Sequence, residues 1–123
     1  MVAGPTDNLQ TLRARRDFRT VYDRGQKFNS PFFVAFALPT GGVAPRVGIT
    51  VTRKIGGAVV RNRCKRRIRE IVRRQQNLAL KGLGCDMVIN AKAAMVGADF
   101  GQLEQALART LARVRQSVGR PGS

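Results

Sequence analysis

The spacing of hydrophobic and polar positions changes several times along the chain, and each change predicts a new element. Phe18, Val21 and Tyr22 recur at i, i+3 and i+4, which is the spacing of one helical face. Gly25 follows them at a place where helices often end on a left-handed glycine. The first predicted element is therefore a short helix over residues 17–24.

Two strands are predicted next. Residues 28–38 are rich in aromatic and branched side chains, and the Pro-Thr-Gly-Gly sequence at 39–42 is typical of a hairpin loop. Residues 46–54 then alternate, with Val47, Ile49 and Val51 on one face and polar or small residues on the other. We expect a half-buried strand with a polar outer face. A further short strand near Phe28 is left open.

From residue 58, after a Gly-Gly pair, the spacing becomes helical again. One face of this helix is apolar: Val60, Cys64, Ile68, Ile71 and Val72. The opposite side is cationic: Lys65, Arg66, Arg69 and Arg73. The pattern therefore predicts one helix that separates a surface for the core from a surface for a partner.

The chain then predicts a strand and a final helix. Residues 85–91 are short and apolar after the glycine-containing break at 81–84. Asp99 starts a helix with a buried stripe of leucines and one valine: Leu103, Leu107, Leu111 and Val114. The order α-β-β-(β)-α-β-α predicts an α+β fold, a two-layer sandwich with a small central mixed sheet. We expect one domain over residues 9–116, with flexible tails at 1–8 and 117–123.

The charge of the chain indicates the kind of partner that it binds. The 23 basic and 7 acidic residues give a net charge of +16 on 13.5 kDa, and ten of the cations lie between Arg53 and Arg74 beside a single acid, Glu70. A solubilising face would intersperse both signs, whereas Lys65, Arg69 and Arg73 stack like charges four residues apart. Arginine forks bind phosphate, so structured RNA is the predicted partner.

Other classes of function find little support in the composition. No apolar run approaches the roughly 20 residues that span a bilayer, and the N-terminus lacks a signal-peptide core, so we expect a cytoplasmic protein with no membrane partner. The chain has no histidine, and its two cysteines cannot fill a zinc site, so Cys64 and Cys85 are expected to be small buried residues. The seven acids are scattered, so we predict no catalytic residue and no metal held by the protein.

The aromatic residues suggest a second surface for RNA. Six of the seven lie in the first 36 residues, and strand alternation sends Phe32 and Phe36 to the face opposite Phe33. If the first helix lies across the sheet edge, its aromatics could line a groove that grips a single strand by stacking. The predicted groove has Phe18 and Tyr22 on its wall, Phe36, Thr50 and Thr52 on its floor and Lys54 at its mouth.

Residues 46–70, RVGITVTRKIGGAVVRNRCKRRIRE, closely resemble the signature of the protein subunit of bacterial ribonuclease P. The segment joins a strand, a Lys-x-Gly turn and an Arg-Asn-Arg helix in the order of that family, and weaker similarity extends over residues 12–114. The resemblance implies a left-handed β-α-β crossover. It also implies a ribonucleoprotein endonuclease in which a catalytic RNA removes the 5′ leader of precursor tRNA, with magnesium held chiefly by the RNA.

The resemblance also assigns residues. It implies that the helix docks on the catalytic RNA through Arg61, Asn62, Arg63, Lys65, Arg66 and Arg69, to which its outward position adds Arg73. It implies that a cleft holds the leader of the precursor through Phe18, Tyr22, Phe36, Thr50, Thr52 and Lys54, to which we add the neighbouring Arg53. The partners implied are the catalytic RNA and precursor tRNA, with no obligatory protein partner. Arg67 stands where the family commonly has an apolar residue, so its orientation is open.

Two other functions compete with this one. A non-enzymatic RNA-binding module, such as a ribosomal protein or an RNA chaperone, would explain the charge and the α+β pattern equally well. It would not explain an aromatic cleft joined to the Arg-Asn-Arg helix. A nuclease acting without RNA would require acids that converge in space.

Overall fold

A computed structural model describes residues 10–118 except 43 and 77. Five strands form one mixed sheet, and three helices pack on it. The strands are β1 (Gln10–Thr11), β2 (Gln26–Asn29), β3 (Phe33–Pro39), β4 (Arg46–Thr50) and β5 (Cys85–Ala91). The helices are α1 (Arg15–Arg24), α2 (Ala58–Gln75) and α3 (Phe100–Val118), and a short 3-10 turn spans Ala93–Met95. The α+β class is confirmed, and the strand near Phe28 that was left open is β2. The predicted order holds from α1 onward, but the short strand β1 before it was not predicted.

The sheet has the order β1-β4-β5-β3-β2. Strand β5 pairs parallel with β4 and antiparallel with β3, so it lies between two strands that are consecutive in sequence. The loop after Pro39 is therefore not a hairpin, and that prediction was wrong. Helix α2 connects the parallel neighbours β4 and β5, as the implied crossover requires. The hand of this crossover stays a prediction.

The main core lies between the sheet and the pair α2 and α3. Each helix contributes the stripe that its periodicity predicts, and all four predicted stripe residues of α3 are fully buried. The buried residues of α2 are Cys64, Ile68, Ile71 and Val72. The apolar face predicted for α2 consists of these four residues and Val60, and Val60 is only half-buried.

Both ends of α3 bear on the sequence predictions. Asp99 accepts a hydrogen bond of 3.0 Å on its carboxylate from the N–H of Gly101, which caps the helix at its start. At the other end the helix continues to Val118, so residues 117 and 118 of the predicted tail are helical. The predicted tail at 1–8 and the rest of the tail at 119–123 lie outside the described residues.

Helix α1 covers the other face of the sheet, so helices lie on both of its faces, whereas the sequence predicted two layers. A second, smaller cluster joins Leu12 and Val21 to Val88 of β5. The helix thus lies over the central strands and not across a sheet edge, which corrects the predicted placement. Gly25 has an extended backbone with φ −79°, so it is not a left-handed terminator. A Cβ there would lie 2.5 Å from the Val21 carbonyl oxygen, so close packing is the reason for glycine.

Strand alternation gave the wrong face to one aromatic residue. Phe33 starts β3 and is buried in the main core, as predicted. Phe32 precedes the strand and packs against the same core, not on the face of Phe36. Period-two alternation holds only inside a strand, and the turn between β2 and β3 resets it. The aromatics on the α1 face are therefore Phe18, Tyr22 and Phe36.

The two cysteines are free and buried, as predicted. Desolvation, with a smaller contribution from the charge of Asp86, raises the pKa of the Cys85 thiol to about 12 from an ordinary value of 9.0. Because the folded protein holds this proton more tightly than the unfolded chain, the resulting stability is fully present below pH 9 and is lost as the pH rises toward 12.

The expected result is a fall in the free energy of unfolding above about pH 9 that is smaller in Cys85→Ala than in the wild type. A pKa raised by about three corresponds to at most about 4 kcal/mol. Urea titrations between about pH 8 and pH 11 measure it, and Cys64→Ala serves as the control for loss of a buried thiol. Equal pH dependence in the wild type and Cys85→Ala would contradict the assignment.

Candidate nucleic-acid interface

The outward face of α2 carries most of the predicted RNA-binding residues. Asn62, Arg63 and Arg66 are exposed, as are Arg69 and Arg73. An open concavity of about 730 Å³ lies along this face and toward the start of α3, lined by Arg63, Arg66, Arg67, Arg69, Glu70, Arg73 and Phe100. Four of the seven predicted docking residues thus share one concave surface, which is large enough for a nucleotide.

The other three predicted docking residues lie differently. Asn62 is exposed but does not line the concavity. Arg61 and Lys65 are half-buried, one turn apart, so Lys65 lies at the edge of the apolar face and not opposite it. The Nε of Arg61 is buried and has no hydrogen-bond acceptor within the described residues. Unpaired buried donors are rare and costly, so Arg61 stands out among these cations.

Most of these cations have no carboxylate partner among the described residues. Among the described residues, the ion pairs of α2 involve only Arg73, 3.7 Å from Glu70, and Arg74, which contacts both Glu70 and Glu104. The other five predicted docking cations have no acid within 4.0 Å in that part of the chain: Arg61, Arg63, Lys65, Arg66 and Arg69. Helix α2 therefore presents a field of uncompensated positive charge, which favours a polyanionic partner.

The flank of α2 that faces α3 is used for packing. Arg67 donates to the backbone carbonyls of Met95 and Ala98, and its guanidinium lies 6.0 Å from the centre of the Phe100 ring. Arg74 lies over the same ring at 5.2 Å and donates to Glu104 at 2.9 Å. These contacts settle the orientation of Arg67: it ties α2 to the start of α3.

The second predicted surface, the cleft, begins where α1 crosses the sheet. The half-buried ring of Phe18 lies directly over Gly48 of β4, because a Cβ at that glycine would be 2.5 Å from Cζ of the ring. Only glycine allows this approach. Sequence reasoning placed Gly48 on the outer face without a role, although a glycine inside a strand pattern signals close approach of another group.

Tyr22 and Phe36 are brought together as predicted. Their ring centres are 5.1 Å apart in an edge-to-face arrangement. The Tyr22 hydroxyl donates a hydrogen bond of 2.8 Å to Oδ1 of Asn90, which leaves the amide nitrogen of Asn90 directed to other partners. Asn90 was missed by the sequence reasoning. The signal was present as a second polar residue, after Asp86, on the Val88 face of a largely apolar strand.

The floor of the cleft follows from strand register. Thr50, Asn90 and Val34 are aligned across β4, β5 and β3 on the α1 side, and all three are half-buried. Beyond Thr50 the chain leaves the sheet, and a turn follows that exposes Thr52, Arg53 and Lys54. The structure therefore places these three past the end of β4 and not on the floor, where Thr52 was predicted.

An ion-pair cluster fixes α1 to the sheet. Arg46 donates from Nε and a terminal nitrogen to the two carboxylate oxygens of the buried Asp86, at 2.8 and 2.6 Å. A third carboxylate oxygen, from Asp17 of α1, lies 3.6 Å away. The hydrogen bonds to Asp86 and the charges of both acids raise the pKa of Arg46. Arg46 of β4 thus links Asp86 of β5 to Asp17 of α1, the helix that carries Phe18 and Tyr22.

The described acids lie in four separate places. Two of them contact Arg46, two contact arginines of α2, Asp99 caps α3, and Asp23 is exposed on α1. No group of three or more acidic, cysteine or histidine side chains that could hold a metal occurs in the described ranges. The donor set of this part of the protein therefore does not fit a magnesium ion, which prefers several oxygen ligands.

Comparison with known proteins identifies the family of the chain. The family model described as Ribonuclease P matches residues 7–115. The chain belongs to the ribonuclease P protein family. It is thus the protein component of a ribonucleoprotein endoribonuclease and works with the ribonuclease P RNA. The alternative of a non-enzymatic RNA-binding module is set aside by this match.

Individual relatives support the assignment. The ribonuclease P protein component of Erythrobacter litoralis is 41% identical over 117 residues, which cover 94% of each chain. That of Gluconacetobacter diazotrophicus is 41% identical over 85% of this chain and 90% of its own. The solved RNase P protein from Thermotoga maritima superposes with a TM-score of 0.77 at 33% identity, over 85% of this chain and 96% of that one.

No helix among the described residues is long and apolar enough to cross a bilayer.

Proposed function

We propose that this chain docks on the catalytic RNA through the outward face of α2 and holds the 5′ leader of precursor tRNA in the cleft beside α1. The two surfaces lie on opposite sides of the sheet, since α2 packs on one face of the sheet and α1 on the other. A protein that presents RNA-binding surfaces on both sides can contact two RNAs at once. This separation is the observation that carries the proposal.

The chemistry of each surface suits its proposed partner. Five docking cations of α2 have no acid partner among residues 10–118, and they offer guanidinium forks and one ammonium to phosphates. An RNA phosphate that drew Arg61 outward would also give its buried Nε an acceptor. The cleft instead combines the Phe18, Tyr22 and Phe36 rings with the amide nitrogen of Asn90. Stacking together with sparse hydrogen bonding suits a single strand.

Catalysis itself is proposed to reside in the RNA. Apart from the exposed Asp23, the described acids are engaged by arginines or by a helix cap, so we assign none of them as a general base or a metal ligand. Magnesium is proposed to be held chiefly by the RNA, where it would supply the charge that phosphodiester hydrolysis requires. We place this work in the cytoplasm, with no obligatory protein partner.

Phe18→Ala is expected to weaken binding of precursor tRNA to the holoenzyme and to leave binding of mature tRNA unchanged. Loss of one stacking ring should cost about 1–3 kcal/mol, or roughly five- to a hundredfold in affinity. Equilibrium binding of both tRNAs, measured with the same catalytic RNA, gives the comparison. If both tRNAs lose affinity equally, or neither does, the cleft does not hold the leader.

The matched control is Phe18→Leu. Leucine keeps an apolar side chain over Gly48 and therefore most of the packing, but it cannot stack on a base. The thermal midpoint of each variant separates loss of fold from loss of contact, because the half-buried ring also stabilises α1. We expect Phe18→Leu to lose precursor affinity with little change in melting.

A further inference from the structure

A groove at the β2 edge, on the side of α3, has no role in the assembly described above. It lies between the β2–β3 turn and α3, with a volume of about 300 Å³. Five of its seven lining residues are polar or basic: Asn29, Ser30, Arg109, Thr110 and Arg113, beside Pro31 and Ala106. A neighbouring depression of about 290 Å³ shares Arg113 and adds Gln26, Phe28, Gln116 and Ser117. Together they follow α3 for roughly 16 Å, at about 1.5 Å per residue.

The cations of this groove are arranged like those of α2. Arg109 and Arg113 are exposed and lie four residues apart on one face of α3. Neither is within 4.0 Å of a carboxylate in the described part of the chain. The Arg113 guanidinium lies 5.6 Å from the centre of the buried Phe28 ring, which holds it beside the edge strand. Two uncompensated guanidinium groups along a polar groove fit successive phosphates of an RNA strand.

The register of the sheet connects this groove to the cleft. The aligned row Thr50, Asn90 and Val34 continues onto the edge strand at Asn29, which is the partner of Val34 in β2. Asn29 lies on the α1 side of the sheet by this register and is also a lining residue of the groove. A single strand that crosses the cleft floor toward β2 would meet Asn29 at the sheet edge and pass around that edge to the two arginines on the α3 side.

We propose that this groove, defined by Asn29, Arg109 and Arg113, binds the backbone of leader nucleotides that lie beyond those in the cleft. The proposal rests on the proposed function, since it extends the path of the same strand. Its readout is a dependence on leader length. Longer leaders should bind more tightly than short ones, because only they reach Arg109 and Arg113.

The test compares two precursor tRNAs bound to the assembled holoenzyme, one with a short leader of about three nucleotides and one with a long leader of about fifteen. For the Arg109→Ala/Arg113→Ala variant we expect about a tenfold loss of affinity for the long-leader precursor and no loss for the short one. The salt slope for the long leader should fall by about 1.4, at about 0.7 for each single-strand phosphate contact. Arg109→Lys/Arg113→Lys should retain most of the affinity.

Lys81→Ala is the control, because it removes an exposed cation near Arg115, on the side of α3 away from the groove. An equal loss for both leaders, or no loss for either, would overturn the proposal. So would a loss of affinity for the catalytic RNA alone, which would assign the groove to that RNA. If the wild-type holoenzyme binds precursor no better than mature tRNA, the cleft assignment itself fails, and the extension fails with it.

Discussion

Replacing Arg61 and Arg63 together by alanine is expected to weaken assembly with the catalytic RNA by about a hundredfold at low salt. Two charge-assisted hydrogen bonds to phosphate, at about 1.5 kcal/mol or more each, account for this magnitude. The slope of log affinity against log salt should decrease by about two, one for each lost phosphate contact. Filter binding or fluorescence titration of the RNA subunit over a series of salt concentrations measures both quantities.

The control removes the same charge from the same kind of element. Arg109→Ala/Arg113→Ala takes two exposed guanidinium groups from α3 and should leave assembly nearly unchanged. Because Arg61 is half-buried, thermal melting must accompany the titration, and the exposed Arg63→Ala alone should still reduce the slope by about one. An unchanged salt slope in a folded variant would contradict the docking of α2 on the RNA.

Arg46→Ala is expected to lower the free energy of unfolding by about 3 kcal/mol. The substitution leaves the Asp86 carboxylate, whose side chain is only 10% exposed, without its two hydrogen bonds. Truncating one partner of a buried pair typically costs about 3–5 kcal/mol, and the lower end applies here because the Arg46 side chain is 37% exposed. Urea unfolding followed by circular dichroism gives the value.

A double variant distinguishes a buried charge from lost packing. Arg46→Met with Asp86→Leu removes both charges, so it should recover much of the stability lost in Arg46→Ala. The single variant should also weaken precursor binding, since the Arg46 cluster anchors α1 through Asp17. A loss of less than about 1 kcal/mol in the free energy of unfolding of Arg46→Ala would mean that the cluster is solvated and does not stabilise the fold.

Hydrophobic periodicity predicted well the features that depend on a single helix or strand. The limits of β5, the apolar face of α2 and the leucine stripe of α3 follow from spacing alone, because each element must turn its apolar residues to a core. The same patterns carry no information about which strands become neighbours. That is why β5 between β3 and β4 was not foreseen, and why a loop after Pro39 was mistaken for a hairpin.

The parts of the site that sequence reasoning missed depend on contacts between distant segments. Asn90 accepts its bond from Tyr22, 68 residues away, and Gly48 matters only because Phe18 packs onto it. Arg67 is drawn to carbonyls 28 and 31 residues further on. Such contacts require the tertiary fold, whereas the cationic face of α2 is already visible in residues one turn apart.

The most direct test of the proposed function is cleavage of a precursor tRNA at low magnesium. Three reactions are compared: a bacterial ribonuclease P RNA alone, this protein alone, and the two together. We expect release of the 5′ leader only in the mixture, or far faster there than with RNA alone. Equal rates for the mixture and RNA alone, or cleavage by the protein alone, would contradict it.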